Sequence, residues 1–168
     1  MREKAKKGDV VMKKVFALVL CMLMMATNAQ ASNLSVCANL MEQTDALYYL
    51  NQIGSEYIRA TINWGAVEKE KGVYDFPNHT QDIIKDISDS GKSAIIILAF
   101  GNTLYTNNER NMPKSNQSEY YPAWLNYVRF IANTLKDYNV VYEVWNEPNL
   151  KPFNADGSAA EYGQLFSD

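Results

Sequence analysis

Trp145-Asn146-Glu147-Pro148-Asn149 sets an amide and a carboxyl side by side directly after a β-branched run, Val140 to Val144, that reads as a buried strand. A carboxyl at the mouth of a strand is placed for chemistry. Pro148 has no backbone N–H and disfavours helix at the residue before it, so the strand is expected to stop at about Glu147, with that side chain facing a loop-lined opening. An apolar strand behind Glu147 and Trp145 beside it would desolvate the carboxyl and raise its pKa, which is what a general acid needs at neutral pH. The structural alternative is that Glu147 caps a following helix or faces water at a turn.

Two further blocks accompany this one. Tyr57 to Trp64 is followed by Val67-Glu68, Lys71-Gly72 and Tyr74-Asp75-Phe76, and Ser93 to Phe100 is followed by Gly101-Asn102-Thr103-Leu104-Tyr105. In this order the three blocks resemble the second, third and fourth strands of the retaining glycoside hydrolases with (β/α)8 barrels, in particular the cellulase-like families that include β-xylosidases. The resemblance spans about Leu34 to Asp168. It implies that Glu147 is the catalytic acid/base and that Asn146 hydrogen-bonds the sugar 2-hydroxyl. It also implies that Arg59 supports the nucleophile and keeps it ionised. In that clan the nucleophile is a glutamate at the end of the seventh strand, so no residue of this chain takes the role; Asp156 and Glu161 fall in the loop and helix after strand four. No metal or cofactor is implied.

Arg59 has a second reading that needs no resemblance. A lone guanidinium in an otherwise apolar strand is costly unless it meets a carboxylate. Glu143 shares strand parity with Glu147 and would face the same interior, so an Arg59–Glu143 ion pair is the structural alternative. Trp64, Trp145, Tyr105 and Asn102 sit at strand ends or just beyond. There, aromatic faces can stack on sugar rings and an amide can bond hydroxyls, or the same side chains can serve as core and loop packing. Tyr120, Tyr121 and Trp124 are expected to anchor a helix.

Composition bounds the setting. Lysines, an apolar run from Val15 to Ala26 and Ala29-Gln30-Ala31 have the layout of a signal peptide over residues 1–31, with residues 1–11 as an upstream mis-start before Met12. The apolar run is about a dozen residues, short of the ~20 needed to span a bilayer. The product is therefore expected to be secreted or periplasmic, with no membrane contact after cleavage. Of the 16 Lys+Arg and 19 Asp+Glu, six and two precede residue 32, which leaves ten against seventeen, a net charge of −7. An acidic surface without a basic stripe argues against nucleic acid and fits a neutral carbohydrate partner. Cys37 alone remains after cleavage, so no internal disulfide forms; it is expected to be a small buried apolar residue. His79 is the only histidine, expected in solvent at a helix start, which leaves little for a His-based triad or metal site.

Strand-like and helix-like segments alternate along the chain. Leu34–Ala38 reads as a strand, followed by a helical stripe of Ala46, Leu47, Leu50 and Ile53 ended by Gly54. Tyr57–Asn63 is the second strand, with Ile83, Ile84 and Ile87 marking a helix that stops at Gly91. Ser93–Phe100 is the third, with Trp124, Leu125, Val128, Ile131 and Leu135 on the next helix. Val140–Trp145 is the fourth, before a helix beginning near Ala159. Four β-then-α units predict an α/β fold with parallel strands, the N-terminal half of a (β/α)8 TIM barrel. A whole barrel takes about 250 residues, against the 137 that follow residue 31. Residues 32–168 are thus expected to be an incomplete catalytic barrel, from a truncated gene, a split reading frame or a partial sequence. Its open first and fourth strand edges would pair with a C-terminal half. The function implied is hydrolysis of O-glycosyl bonds in β-linked poly- or oligosaccharide; the alternative is a non-catalytic carbohydrate-binding or vestigial half barrel.

Overall fold

A computed structural model describes residues 32–40, 45–154 and 158–168. The leader expected over residues 1–31 and Asp156 lie outside the described residues. Asn33–Asp168 forms one compact unit. Its strands are β1 (Ser32–Cys37), β2 (Ser55–Ile62), β3 (Ser93–Leu98) and β4 (Val140–Val144). Its helices are α1 (Ala46–Ile53), the single turn α2 (Trp64–Val67), α3 (Asn78–Asp89), α4 (Tyr120–Leu135) and α5 (Ala159–Ser167). The strands form one sheet in the order β1-β2-β3-β4, all parallel, as successive βα units of a barrel require.

Period-two alternation decides the two faces of this sheet. Ile58, Ala60 and Ile62 of β2, with Ala94, Ile96 and Leu98 of β3, are buried and form the core with α3 and α4. Tyr57, Arg59 and Thr61 lie on the opposite, half-open face, paired in register with Ser93, Ile95 and Ile97. The α3 stripe of Ile83, Ile84 and Ile87 is buried as its spacing predicts, and Gly91 at φ 80° supplies the left-handed residue that ends the helix. Lys92 N–H then closes on Ile87 O at 3.1 Å. On α4, Trp124, Ile131 and Leu135 are buried together with Tyr120, Tyr121 and Tyr127, while Leu125 and Val128 are half-buried. His79 is exposed in the first turn of α3.

Three expectations are corrected. Cys37 is exposed, because it falls on the open face of β1 while Val36 packs against the core. Ile53 at the end of α1 is also exposed, leaving Ala46 and Leu50 as that helix's buried residues. The fourth strand ends at Val144, three residues short of Glu147. Among the described residues no helix is long and apolar enough to cross a membrane.

Candidate active site

The open face carries one guanidinium, and its partners define the site. Arg59 Nε donates to Glu143 Oε2 at 2.8 Å and Nη2 to Glu143 Oε1 at 2.6 Å, a two-bond fork between β2 and β4. The same Nη2 donates to Asn146 Oδ1 at 3.1 Å, and Nη1 lies 3.9 Å from Cys37 Sγ. The hydrogen bond to Glu143 holds the guanidinium pKa above its ordinary value, against the opposing pull of burial. The Arg59–Glu143 ion pair expected from strand parity is present. Asn146 joins it through its oxygen, so the group that the amide has left to offer outward is its N–H donor pair.

The exit from β4 explains how Asn146 reaches that face. Trp145 N–H still bonds Leu98 O at 3.0 Å, but Trp145 adopts φ 62° and Glu147 φ 52°, left-handed conformations unusual for residues of their size. The first of these breaks the alternation. Trp145 drops into the core, where its indole Nε1 donates to Phe153 O at 2.8 Å, and Asn146 rather than Trp145 follows Glu143 onto the open face. Parity between Glu143 and Glu147 therefore does not carry through. Glu147 lies in a turn beyond the C-terminal end of the strand, the same end as the loops after β2 and β3. Its side chain is solvent-exposed, so the apolar enclosure expected around it is not there.

The aromatic residues expected to meet a sugar are deeper than their positions suggested. Trp64 and Trp145 are fully buried. Trp64 stacks on Tyr105, Tyr120 and Tyr127 at centroid distances of 5.3, 5.8 and 5.5 Å, and touches Trp124 edge-on at 5.7 Å. Trp124 meets Trp145 at 5.5 Å, Trp145 meets Phe100 at 5.6 Å, and Phe100 stacks on Phe153 at 5.5 Å. A connected layer of rings thus runs beneath the rim from the loop after β2 to the turn after β4. Neither tryptophan offers a face to a ligand. Phe100 does, because it is half-buried and lines the opening.

Asn102 is also internal. Its Nδ2 donates to Glu68 O at 2.7 Å and its Oδ1 accepts from Leu104 N at 2.9 Å, so both ends of the amide serve the loop. Tyr105 is half-buried, with its hydroxyl on Glu68 Oε1 at 2.5 Å and the Lys71 ammonium 4.8 Å from its ring centroid. Burial first and the bond to Glu68 second raise the Tyr105 pKa. The residue missed by sequence reasoning is Glu68, a fully buried carboxylate; its place in the block Val67-Glu68, Lys71-Gly72 was the available signal.

A concavity of about 1020 Å³ opens at the ends of β1, β2 and β3. Arg59, Thr61, Asn63, Phe100, Thr103 and Glu109 contribute to its wall, a mixture of amide, hydroxyl, charged and aromatic groups. Asn146 is tied to that wall through its hydrogen bond from Arg59. Among the described residues no group of three His, Cys, Asp or Glu side chains is arranged to hold a metal ion.

No protein-family profile matches the chain, and no curated protein sequence does. Among solved structures, the chain is similar to a family 39 glycoside hydrolase from the gut symbiont Bacteroides cellulosilyticus WH2, with a TM-score of 0.62 and 22% sequence identity. The likeness covers 79% of this chain and 27% of that one, so the chain spans about a quarter of the length of that hydrolase. What the two share is a fold, four consecutive βα units of a barrel.

Proposed function

We propose that this chain contributes the acid/base side of a glycoside hydrolase active site. Glu147 is the proton donor and acceptor, and Asn146 is a donor to the sugar hydroxyl next to the reacting carbon. The observation that carries the reading is the Arg59 fork, which fixes Asn146 at the end of β4 immediately before Glu147. Similarity of fold to a glycoside hydrolase supports it, as does the exposure of Glu147 at the strand ends where such barrels keep their chemistry. Retaining hydrolysis needs a second carboxylate about 5–5.5 Å from the first, and no residue of this chain is assigned that role. Apart from Glu109, the polar groups around the concavity are neutral or, like Arg59 with Glu143, charge-matched, which suits an uncharged sugar.

The test is stereochemical. The full-length gene product is expected to cleave β-linked oligosaccharide and release a first-formed sugar that keeps the β configuration by proton NMR; an inverted product would overturn the reading. A carbohydrate-binding module without catalysis would instead show calorimetric binding with no cleavage. That rival has less to draw on, because Trp64 and Trp145 are core residues rather than a stacking platform. The codons that follow Asp168 separate the two as well: four further βα units with a glutamate at the seventh strand end belong to the hydrolase reading.

A further inference from the structure

The buried carboxylate of Glu68 is unused by this chemistry. A carboxylate removed from water is unfavourable unless its lone pairs are filled, and among the described residues no cation pairs with it. Lys71, three residues on, is engaged by Glu119 at 2.5 Å and by the Tyr105 ring. Neutral donors fill the place of a cation. Trp64 Nε1 donates to Oε2, while Gly72 N at 2.6 Å and Tyr105 Oη at 2.5 Å donate to Oε1. Tyr74 also approaches, and burial first and the Glu68 charge second push its hydroxyl up to about 12. Gly72 sits at φ 78°, a left-handed conformation that brings its amide onto the carboxylate and that glycine adopts without strain.

These donors belong to two different loops. Trp64, Gly72 and Tyr74 follow β2, whereas Tyr105 follows β3, and Asn102 adds a second cross-link by bonding the Glu68 carbonyl at 2.7 Å. The concavity is lined from both loops, by Asn63, Gly65 and Ala66 on one side and by Phe100 and Thr103 on the other. The geometry points to Glu68 as a positioning residue, a buried acceptor that locks the loops after β2 and β3 into one wall of the concavity. Its role is independent of whether Glu147 donates a proton. Replacing it should loosen the far loop as well as its own.

Amide hydrogen exchange on the full chain reads this directly. Glu68→Gln sets an N–H₂ against donors, and the expected result is at least a tenfold rise in exchange at Gly72 together with Leu104, Tyr105 and Thr106. The sheet amides of Ala94 and Trp145 should change less than twofold. A rise confined to Gly72 would overturn the proposal. If Glu68→Gln exchanges globally, Tyr105→Phe decides: it deletes only the cross-loop hydroxyl. It should speed exchange at Gly72 N–H and Trp64 indole N–H at least threefold, although neither group is altered. No change at those two sites would overturn the proposal.

Discussion

Arg59 and Asn146, 87 residues apart in sequence, meet at 3.1 Å through Nη2 and Oδ1, and the same guanidinium nitrogen is held by Glu143 at 2.6 Å. One cation on β2 therefore sets the position of the amide that precedes Glu147. The Arg59–Glu143 pair is partly open to solvent, with side-chain exposures of 29% and 36%, so screening limits its net contribution to about 1 kcal/mol. A double-mutant cycle of Arg59→Met and Glu143→Gln in urea unfolding should return a coupling of about 0.5–1 kcal/mol. Zero coupling would mean that the fork does not persist in solution.

Trp145→Ala is expected to lower stability by about 3–5 kcal/mol, since it empties a fully buried site ringed by Trp124 and Phe100. A surface stacking residue would instead lose ligand affinity with little change in the unfolding midpoint. Chemical denaturation of the variant separates the two roles.

Gly101 lies against Tyr120, and a β-carbon there would collide with the Tyr120 hydroxyl and come within 3.0 Å of Glu109 O. That hydroxyl is itself fixed on Asn111 O at 2.5 Å. Gly101→Ala should therefore destabilise by about 1–3 kcal/mol. Adding Tyr120→Phe should recover part of the loss, and purely additive effects of the two changes would argue against this contact as the cause.

Glu161 and Ser158 cap α5 reciprocally, and the Ser158 backbone N–H is the main reason that the Glu161 pKa lies below its ordinary value. A depressed carboxylate pKa means that the stabilisation is present above the unfolded value near 4.5 and is lost as pH falls through the folded one. Protection of the Glu161 and Tyr162 amides, taken relative to the intrinsic exchange rate at each pH, should fall on acidification below about pH 4.5, and Glu161→Gln should remove most of that pH dependence. A pH response unchanged in the variant would contradict the capping assignment.

Much of the fold was legible because it rests on repeating patterns. Ile83, Ile84 and Ile87 before Gly91 gave α3, and the unbroken apolar run from Ala94 to Leu98 gave β3, although Ile95 on its open face is only half-buried rather than covered as such a run suggests. The candidate site was legible only up to Val144. Beyond it, the left-handed turn at Trp145 moves every later side chain off the period of two, and nothing in the local composition announces such a turn at a tryptophan. Hence Arg59 and Glu143 could be paired in advance, whereas for Trp145 and Glu147 two environments each stayed open until the turn decided them: the indole is buried and the carboxyl is in solvent. Glu68 escaped notice because a glutamate near a Lys-Gly turn reads as surface, and only the convergence of Trp64, Gly72 and Tyr105 makes it internal.

Proton donation by Glu147 is tested most directly by the leaving-group dependence of Glu147→Gln in the full-length gene product. For oligosaccharides and other poor leaving groups, turnover should fall roughly 100- to 10,000-fold, and for activated aryl glycosides by less than about tenfold, because departure then needs little protonation. Equal losses on both substrate types would contradict the assignment of Glu147 as the acid.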